Sequence, residues 1–148
     1  MFIKQYQLLK GIVVNRIESN KPAMNNLTID ATNNTPLADF KKNGMFKLEG
    51  RSFPENASNF YDPLIEFVKE LKISHVNFDF NLEYINTASS KKILFLLTAL
   101  EQNDNIDSIQ VNWFYEEGDD DSIETAEIYD DSLNRIRFTY NEVAEIES

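Results

Sequence analysis

The 148-residue chain contains no cysteine, a single histidine, four glycines and four prolines. Without cysteine, this chain forms no disulfide bond and has no thiol nucleophile and no cysteine-ligated zinc. The one histidine, His75, excludes a histidine pair, and as a general base it would need an orienting carboxylate. Neither GxGxxG nor GxxxxGK[ST] occurs, which disfavours a nucleotide-dependent enzyme. The composition therefore gives little support to catalysis.

Basic charge and long apolar runs are also scarce. The net charge is −11 and the basic residues are scattered, which disfavours duplex nucleic acid and anionic membranes as partners. The longest apolar run, Ile93 to Leu97, is far too short to span a bilayer. We therefore expect a cytoplasmic protein that binds no nucleic acid, no membrane and no cofactor. The chain length predicts one domain with a substantial core.

Residues 1–23 differ in charge from the rest of the chain. Four basic residues oppose one glutamate there, giving +3, so the remaining residues carry −14. Lys10 and Arg16 interrupt the apolar stretch, and no signal-peptide core is present. We expect a mobile N-terminal extension, or upstream sequence translated from an early start with Met24 as the alternative start; a docking helix is a weaker alternative. Residues 24–148 are predicted to form the single domain.

Hydrophobic periodicity predicts three short strands, followed by helices that alternate with strands. Strands are expected over 26–30, 37–40, 45–49, 76–84, 108–115 and 135–140. Helices are expected from residue 57 or 63, over 87–102 and over 122–131, with a helical or frayed tail from 141. Strands joined by helices indicate parallel crossovers. Because the strands alternate apolar and polar residues, we predict an α/β fold, a mixed β-sheet with helices mainly on one face.

In the strand over 76–84, the apolar members of the alternation are Val76, Phe78, Phe80, Leu82 and Tyr84. In the last helix, the inward residues are predicted to be Ile123, Ala126 and Ile128. The strand over 45–49 is expected to end at Gly50.

A short polar turn, Asn86-Thr87-Ala88-Ser89-Ser90-Lys91, joins the fourth predicted strand to the following helix. Asn86 or Thr87 is suited to cap the helix, since its side-chain oxygen can accept a hydrogen bond from a free N–H of the first turn. The free N–H groups and the helix dipole also favour a phosphate, either bound or attached to Thr87. The simpler alternative is a capped helix followed by surface lysines.

A second candidate site is the acidic segment from Asp119 to Glu127. Its carboxylates are ligands that Mg²⁺ or Ca²⁺ accept, although the spacing does not match an EF-hand loop. Acidic residues are also favoured in the first turn of a helix by its dipole. A small divalent-metal-dependent enzyme is therefore the alternative function, and a solvated helix start is the simpler structural interpretation.

Three segments resemble, in the same order, motifs of the SiaC family of regulatory phosphoproteins. Gly50 to Asn56, followed by Phe60-Tyr61 and Pro63, resembles GRSxPEN…FYxP. Phe80 to Lys91 resembles the LEYxNTxSSK segment, and Val111 to Asp121 resembles VxWxY with its acidic loop. The resemblance extends in register from about Met24 through Tyr140 and excludes residues 1–23. It implies a fold similar to the STAS domains of anti-sigma-factor antagonists.

The resemblance also implies a non-enzymatic phosphorylation switch. By analogy Thr87 is the acceptor, a SiaB-type kinase adds the phosphate and a PP2C-type phosphatase removes it. The unphosphorylated form is then expected to bind a GGDEF diguanylate cyclase in c-di-GMP signalling. The neighbours in the switch turn are Asn86, Ser89, Ser90 and Lys91, and the expected partner contacts are Arg51, Pro54, Glu55, Asn56 and Tyr84. A constitutive scaffold without a switch is the third hypothesis.

Overall fold

The computed structural model describes residues 24–144. The predicted extension over 1–23 and the end of the predicted tail, 145–148, lie outside the described residues. Within the described range, six strands and three helices follow one another: β1 (Leu27–Ile29), β2 (Leu37–Phe40), β3 (Met45–Ser52), α1 (Ala57–Lys69), β4 (His75–Ile85), α2 (Thr87–Glu101), β5 (Ser108–Glu116), α3 (Asp120–Ser132) and β6 (Ile136–Val143). This order confirms the predicted one.

The six strands form one mixed sheet in chain order, β1-β2-β3-β4-β5-β6. The first three strands pair antiparallel, and β3 through β6 pair parallel. Each helix crosses between two neighbouring parallel strands, and successive crossovers advance in the same direction. Because such crossovers are right-handed, the three helices lie on the same face of the sheet. The predicted mixed sheet with one helical face is confirmed.

The two faces of the sheet differ in polarity as the alternation predicts. On the helical side of β4, the buried residues are Val76, Phe78, Phe80 and Leu82. On the other face, the Asn112 amide Nδ2 donates to the Oδ1 of Asn77 at 3.1 Å and to the Oδ1 of Asp79 at 2.8 Å. The described part of the sheet therefore has one apolar face under the helices and one hydrogen-bonded polar face.

The alternation fails at the end of β4, where Tyr84 is 52% exposed instead of buried. The pairing of β3 with β4 passes from Gly50–Leu82 to Arg51–Tyr84, so Glu83 is an extra residue in β4. Such a bulge reverses the orientation of the residues that follow it. Gly50 also does not end β3, because the strand continues through this irregularity to Ser52.

Helix α3 and the last strand also differ from the prediction. Ile128 is 61% exposed, and Tyr129 is buried together with Ala126. Ala126 and Tyr129 are three positions apart and share one face of the helix. Ile128 is turned about 100° around the helix axis from Tyr129 and therefore leaves that face. A helical or frayed tail was predicted from residue 141, but strand β6 continues to Val143. It does so because its backbone pairs with β5 as far as Glu116.

Helix α1 is one continuous helix from Ala57 to Lys69 that contains Pro63. Of the two predicted helix starts, the start at residue 57 is therefore confirmed. Its N-cap is Asn56, whose Oδ1 accepts a hydrogen bond from the backbone N–H of Asn59 at 3.2 Å. Pro63 lies near the middle of the helix and is exposed. Among residues 24–144, no helix is long and apolar enough to cross a membrane.

We expect Gly44→Ala to lower the free energy of unfolding much more than Gly118→Ala. Both glycines have a positive φ, +97° and +87°, so alanine costs about 1–2 kcal/mol at either position. At Gly44, an added Cβ would also lie 2.2 Å from the backbone oxygen of His75, whereas at Gly118 it would meet no atom within 4 Å. Urea denaturation of both variants measures the difference, and equal losses would contradict the steric argument.

Candidate functional site

The turn between β4 and α2 is a capped helix start that is tied to β3. The Oδ1 of Asn86 accepts a hydrogen bond from the backbone N–H of Ser89 at 2.8 Å. The backbone N–H of Asn86 donates to the carbonyl oxygen of Ser52 at 2.9 Å. Of the two predicted caps, Asn86 is therefore the N-cap, and Thr87 is the first residue of α2.

Thr87 and Ala88 are exposed at this helix start. Their backbone N–H groups have no acceptor among residues 24–144, as is usual for a first helical turn. The structure describes the whole of α2, and its first turn contains no acidic residue, whereas α3 begins with Asp120 and Asp121. The helix dipole therefore favours a negative charge beside the Thr87 hydroxyl.

The two serines of the turn connect to buried tyrosines, Ser89 through Ser52 and Ser90 directly. Ser89 is fully buried and accepts a hydrogen bond from the Oγ of Ser52 at 2.7 Å. The phenol of Tyr61 lies 2.6 Å from the Ser52 Oγ, and Tyr61 is the donor because the Ser52 proton is engaged with Ser89. Tyr129 donates to the carbonyl oxygen of Ser90 at 2.8 Å and accepts from the Ser90 Oγ at 2.9 Å.

Ser52, Tyr61 and Tyr129 are site residues that sequence reasoning missed. Ser52 and Ser89 are 37 positions apart, and Ser90 and Tyr129 are 39 apart, so no local pattern connects them. One signal was available in α3: Tyr129 lies one helical turn after Ala126 on the buried stripe, and a buried phenol needs a hydrogen-bond partner.

The two buried phenols predict a loss of stability at high pH. Burial raises the pKa of both Tyr61 and Tyr129 to about 12. Unfolded tyrosine titrates near pH 10, so between about pH 10 and 12 the folded protein binds these protons more tightly than the unfolded chain. The stability that they contribute is present below about pH 10 and is lost as the pH rises towards 12.

Thermal unfolding across this pH range measures the effect. We expect the Tm to fall above about pH 10, and to fall less steeply in Tyr61→Phe, which lacks one of the buried phenols whose pKa is raised. The same pH dependence in the wild type and in Tyr61→Phe would contradict the assignment.

Two of the predicted partner contacts lie together at the ends of β3 and β4. Arg51 pairs with Tyr84 across the two strands. The guanidinium carbon of Arg51 lies 5.2 Å from the centre of the Phe53 ring, and the Phe53 and Tyr84 ring centres are 5.8 Å apart. The structure thus adds Phe53 to the predicted pair and forms a cationic and aromatic cluster at this edge.

The other predicted contacts lie in the loop that follows. Glu55 and Asn56 are exposed, but Pro54 is buried. The buried Pro54 side chain shapes the loop, and the Oδ1 of Asn56 caps α1. All five residues stay predicted contacts.

A shallow groove between α2 and α3 runs beside Thr87. It is lined by Thr87, Ser90, Lys91, Leu94, Thr125 and Ile128, among others. Lys91 is exposed at its rim, and the strongly exposed Ile128 contributes to an apolar wall. Lys92 faces away from the groove and pairs with Asp62 of α1 at 2.7 Å. The candidate acceptor therefore borders a surface with both a cationic and an apolar part.

The acidic segment does not converge into a metal centre. In the part of the chain that the structure describes, no group of three His, Cys, Asp or Glu side chains is arranged to hold an ion. Asp119 caps α3, since its Oδ1 accepts from the backbone N–H of Ser122 at 3.1 Å. Asp120 and Asp121 lie exposed in the first turn of α3, where the helix dipole favours them. The metal-dependent alternative has no geometric support.

We accordingly expect Mg²⁺ or Ca²⁺ at millimolar concentration to leave the Tm unchanged. A site occupied at 100 times its Kd would stabilise the folded state by about 2.7 kcal/mol, which thermal unfolding detects easily. A rise of several degrees with either ion, absent in Asp119→Asn, would restore the metal-dependent alternative.

Comparison with known proteins assigns the family. The model of the SiaC family regulatory phosphoproteins matches residues 29–143. The chain belongs to the SiaC family. The match spans the three motif segments and all of β2 through β6, so the resemblance of those segments is confirmed.

Individual relatives agree with this assignment. An uncharacterised protein of Pseudomonas aeruginosa (strain UCBPP-PA14) is 27% identical over 110 residues, which cover 70% of this chain and 86% of that protein. Apo-SiaC from Pseudomonas aeruginosa has a TM-score of 0.68 at 25% identity, covering 80% of this chain and 99% of that one.

A chain in the crystal structure of the diguanylate cyclase SiaD in complex with its activator SiaC, also from Pseudomonas aeruginosa, has a TM-score of 0.70 at 24% identity. The match covers 79% of this SiaC family chain and 99% of that one. At this identity, the comparison establishes a common fold.

Proposed function

We propose that this SiaC family member is a non-catalytic phosphorylation switch with Thr87 as its acceptor, acting in the cytoplasm. The observation that carries the proposal is the contrast between the three hydroxyls of the turn. Thr87 is exposed, whereas Ser89 is buried and the Ser90 hydroxyl bonds to Tyr129. A SiaB-type kinase reaches Thr87 without unfolding the turn, and a PP2C-type phosphatase reverses the modification.

The fold accommodates a phosphate on Thr87 without rearrangement. Phosphothreonine carries a charge of about −1.5 to −2. The helix dipole and the N–H groups of Thr87 and Ala88, which have no acceptor among residues 24–144, stabilise that charge. Lys91, one turn further along α2, adds a nearby cation. Phosphorylation therefore changes the charge of the surface and leaves the core intact.

The proposed output partner is a GGDEF diguanylate cyclase, which binds the unphosphorylated form. The complex of SiaC with the cyclase SiaD, which it activates, supports this choice of partner class. The groove beside Thr87, with Leu94 and Ile128 in its wall, is a surface that a partner can cover. Covering it would remove water from a phosphate on Thr87, and desolvating a dianion against apolar groups is costly. The phosphate therefore opposes docking.

The first experiment is to isolate the protein from its own cells and map phosphorylation sites by mass spectrometry. We expect phosphate on Thr87 in a fraction that changes with growth conditions, no phosphate in Thr87→Ala, and retained phosphate in Thr28→Ala, a matched exposed threonine on β1. An unmodified Thr87 under every condition, in a strain whose kinase is intact, would favour the constitutive scaffold.

A further inference from the structure

We infer that Ser89 and Ser90 are positioning residues, through which Tyr61 and Tyr129 hold Thr87 in the geometry that its kinase requires. This inference rests on the proposed function of Thr87 and adds the residues that select it. Ser89 and Ser90 are then anchors of the turn and do not themselves accept phosphate.

The surroundings of the two serines exclude them as acceptors. In the transfer, the hydroxyl oxygen bonds to the γ-phosphorus of ATP, the bond between that phosphorus and the β-phosphate oxygen breaks, ADP leaves, and the hydroxyl proton passes to a base of the kinase. This requires an accessible hydroxyl. Ser89 is 0% exposed and accepts from Ser52. The Ser90 hydroxyl donates to the phenol of Tyr129, 2.9 Å away.

The same hydrogen bonds fix the start of α2 from two directions. The connection from Tyr61 through Ser52 to Ser89 joins α2 to α1 and β3. The paired bonds between Ser90 and Tyr129 join α2 to α3. Because α2 lies between α1 and α3 in the layer of helices, the two connections approach it from opposite neighbours. Hydrogen bonds in such a poorly solvated region are strong and directional.

Thr87 precedes these anchors by only two and three residues, so their loss affects it directly. A helix start frays when its contacts are removed, and a frayed acceptor must be reordered in the active site of the kinase. Removing an anchor is therefore expected to slow the chemical step and to leave the affinity of the folded protein for the kinase nearly unchanged. This effect distinguishes positioning from a general contribution to stability.

Three single-atom deletions test the inference. Tyr61→Phe and Tyr129→Phe each remove the hydroxyl that reaches the turn. Tyr140→Phe is the matched control, because its hydroxyl bonds to Asp130 of α3 at 3.2 Å and has no contact with the turn. The backbone amides of Ser89 and Ser90 donate to the Oδ1 and the carbonyl oxygen of Asn86. Their hydrogen–deuterium exchange should quicken by about threefold to tenfold in the first two variants and stay unchanged in the control.

A second measurement uses the full chain, a purified SiaB-type kinase and ATP. We expect kcat to fall by about threefold to tenfold in Tyr61→Phe and Tyr129→Phe, with KM changed by less than about twofold. Ser90→Ala should lose less than Tyr129→Phe, because the Tyr129 phenol still donates to the carbonyl oxygen of residue 90. Ser90→Thr retains a hydroxyl and should recover most of the rate. In every variant the phosphate should still map to Thr87.

The possible outcomes distinguish a failure of this inference from a failure of the proposed switch at Thr87. Phosphate on Ser89 or Ser90 of the wild type, or unchanged exchange and unchanged kcat in both phenylalanine variants, would overturn the inference while the switch at Thr87 stands. A wild type that the kinase never modifies at Thr87 would overturn the proposed function. In that case the exchange measurement still decides whether the tyrosines hold the turn.

Discussion

Thr87→Glu is expected to weaken binding of the diguanylate cyclase partner by about 5- to 150-fold, whereas Thr87→Ala is expected to retain binding. Thr87 is exposed at the rim of the groove between α2 and α3. A carboxylate placed there must lose water when the partner covers the groove, and the adjacent wall of Leu94 and Ile128 offers it no compensating contact. Isothermal titration with each variant measures the change.

A control variant separates the effect of where the charge lies from the effect of the added net charge. Thr28→Glu adds the same charge at an exposed residue of β1, on the edge of the sheet remote from α2 and α3. We expect its affinity to equal that of the wild type. Long-range repulsion between the proteins would affect both glutamate variants and would decrease strongly with added salt. Equal binding by Thr87→Ala and Thr87→Glu would instead support the constitutive scaffold.

Trp113→Ala is expected to lower the free energy of unfolding by about 3–5 kcal/mol. The Trp113 ring is 1% exposed and stacks on Phe80, with ring centres 5.2 Å apart. The Trp113 and Tyr129 rings also pack in a T-shaped arrangement with centres 5.9 Å apart, and the Nε1 of Trp113 donates to the Oγ of Ser122 at 2.9 Å. Truncation leaves a cavity between the sheet and α3 and removes this hydrogen bond.

Urea denaturation followed by far-ultraviolet circular dichroism is the appropriate measurement, since the variant lacks the only tryptophan. Ile128→Ala is the control because Ile128 is a large apolar residue of α3 that is 61% exposed. We expect its loss to be below about 0.5 kcal/mol. Comparable losses in the two variants would mean that Trp113 does not connect α3 to the core as the structure indicates.

The sequence by itself determined the order of the elements and the single helical face of the sheet. Both follow from local periodicity: alternation from Val76 to Leu82 specifies a half-buried strand, and apolar spacing after Thr87 specifies a helix. The polar turn between them could also be predicted from the sequence, because capping depends on residues only three positions apart, such as Asn86 and Ser89. The family followed from motifs that are contiguous in the chain.

Only the tertiary structure decided which side chains of these elements are accessible. The bulge at Glu83 exposes Tyr84, and it exists only in the pairing of β4 with β3. The different environments of Ser89 and Ser90 depend on Ser52, Tyr61 and Tyr129, which lie 28 or more positions away along the chain. Hydrogen bonds over such separations form only when the sheet and all three helices have packed, so no local pattern distinguishes the exposed Thr87 from its two anchored neighbours.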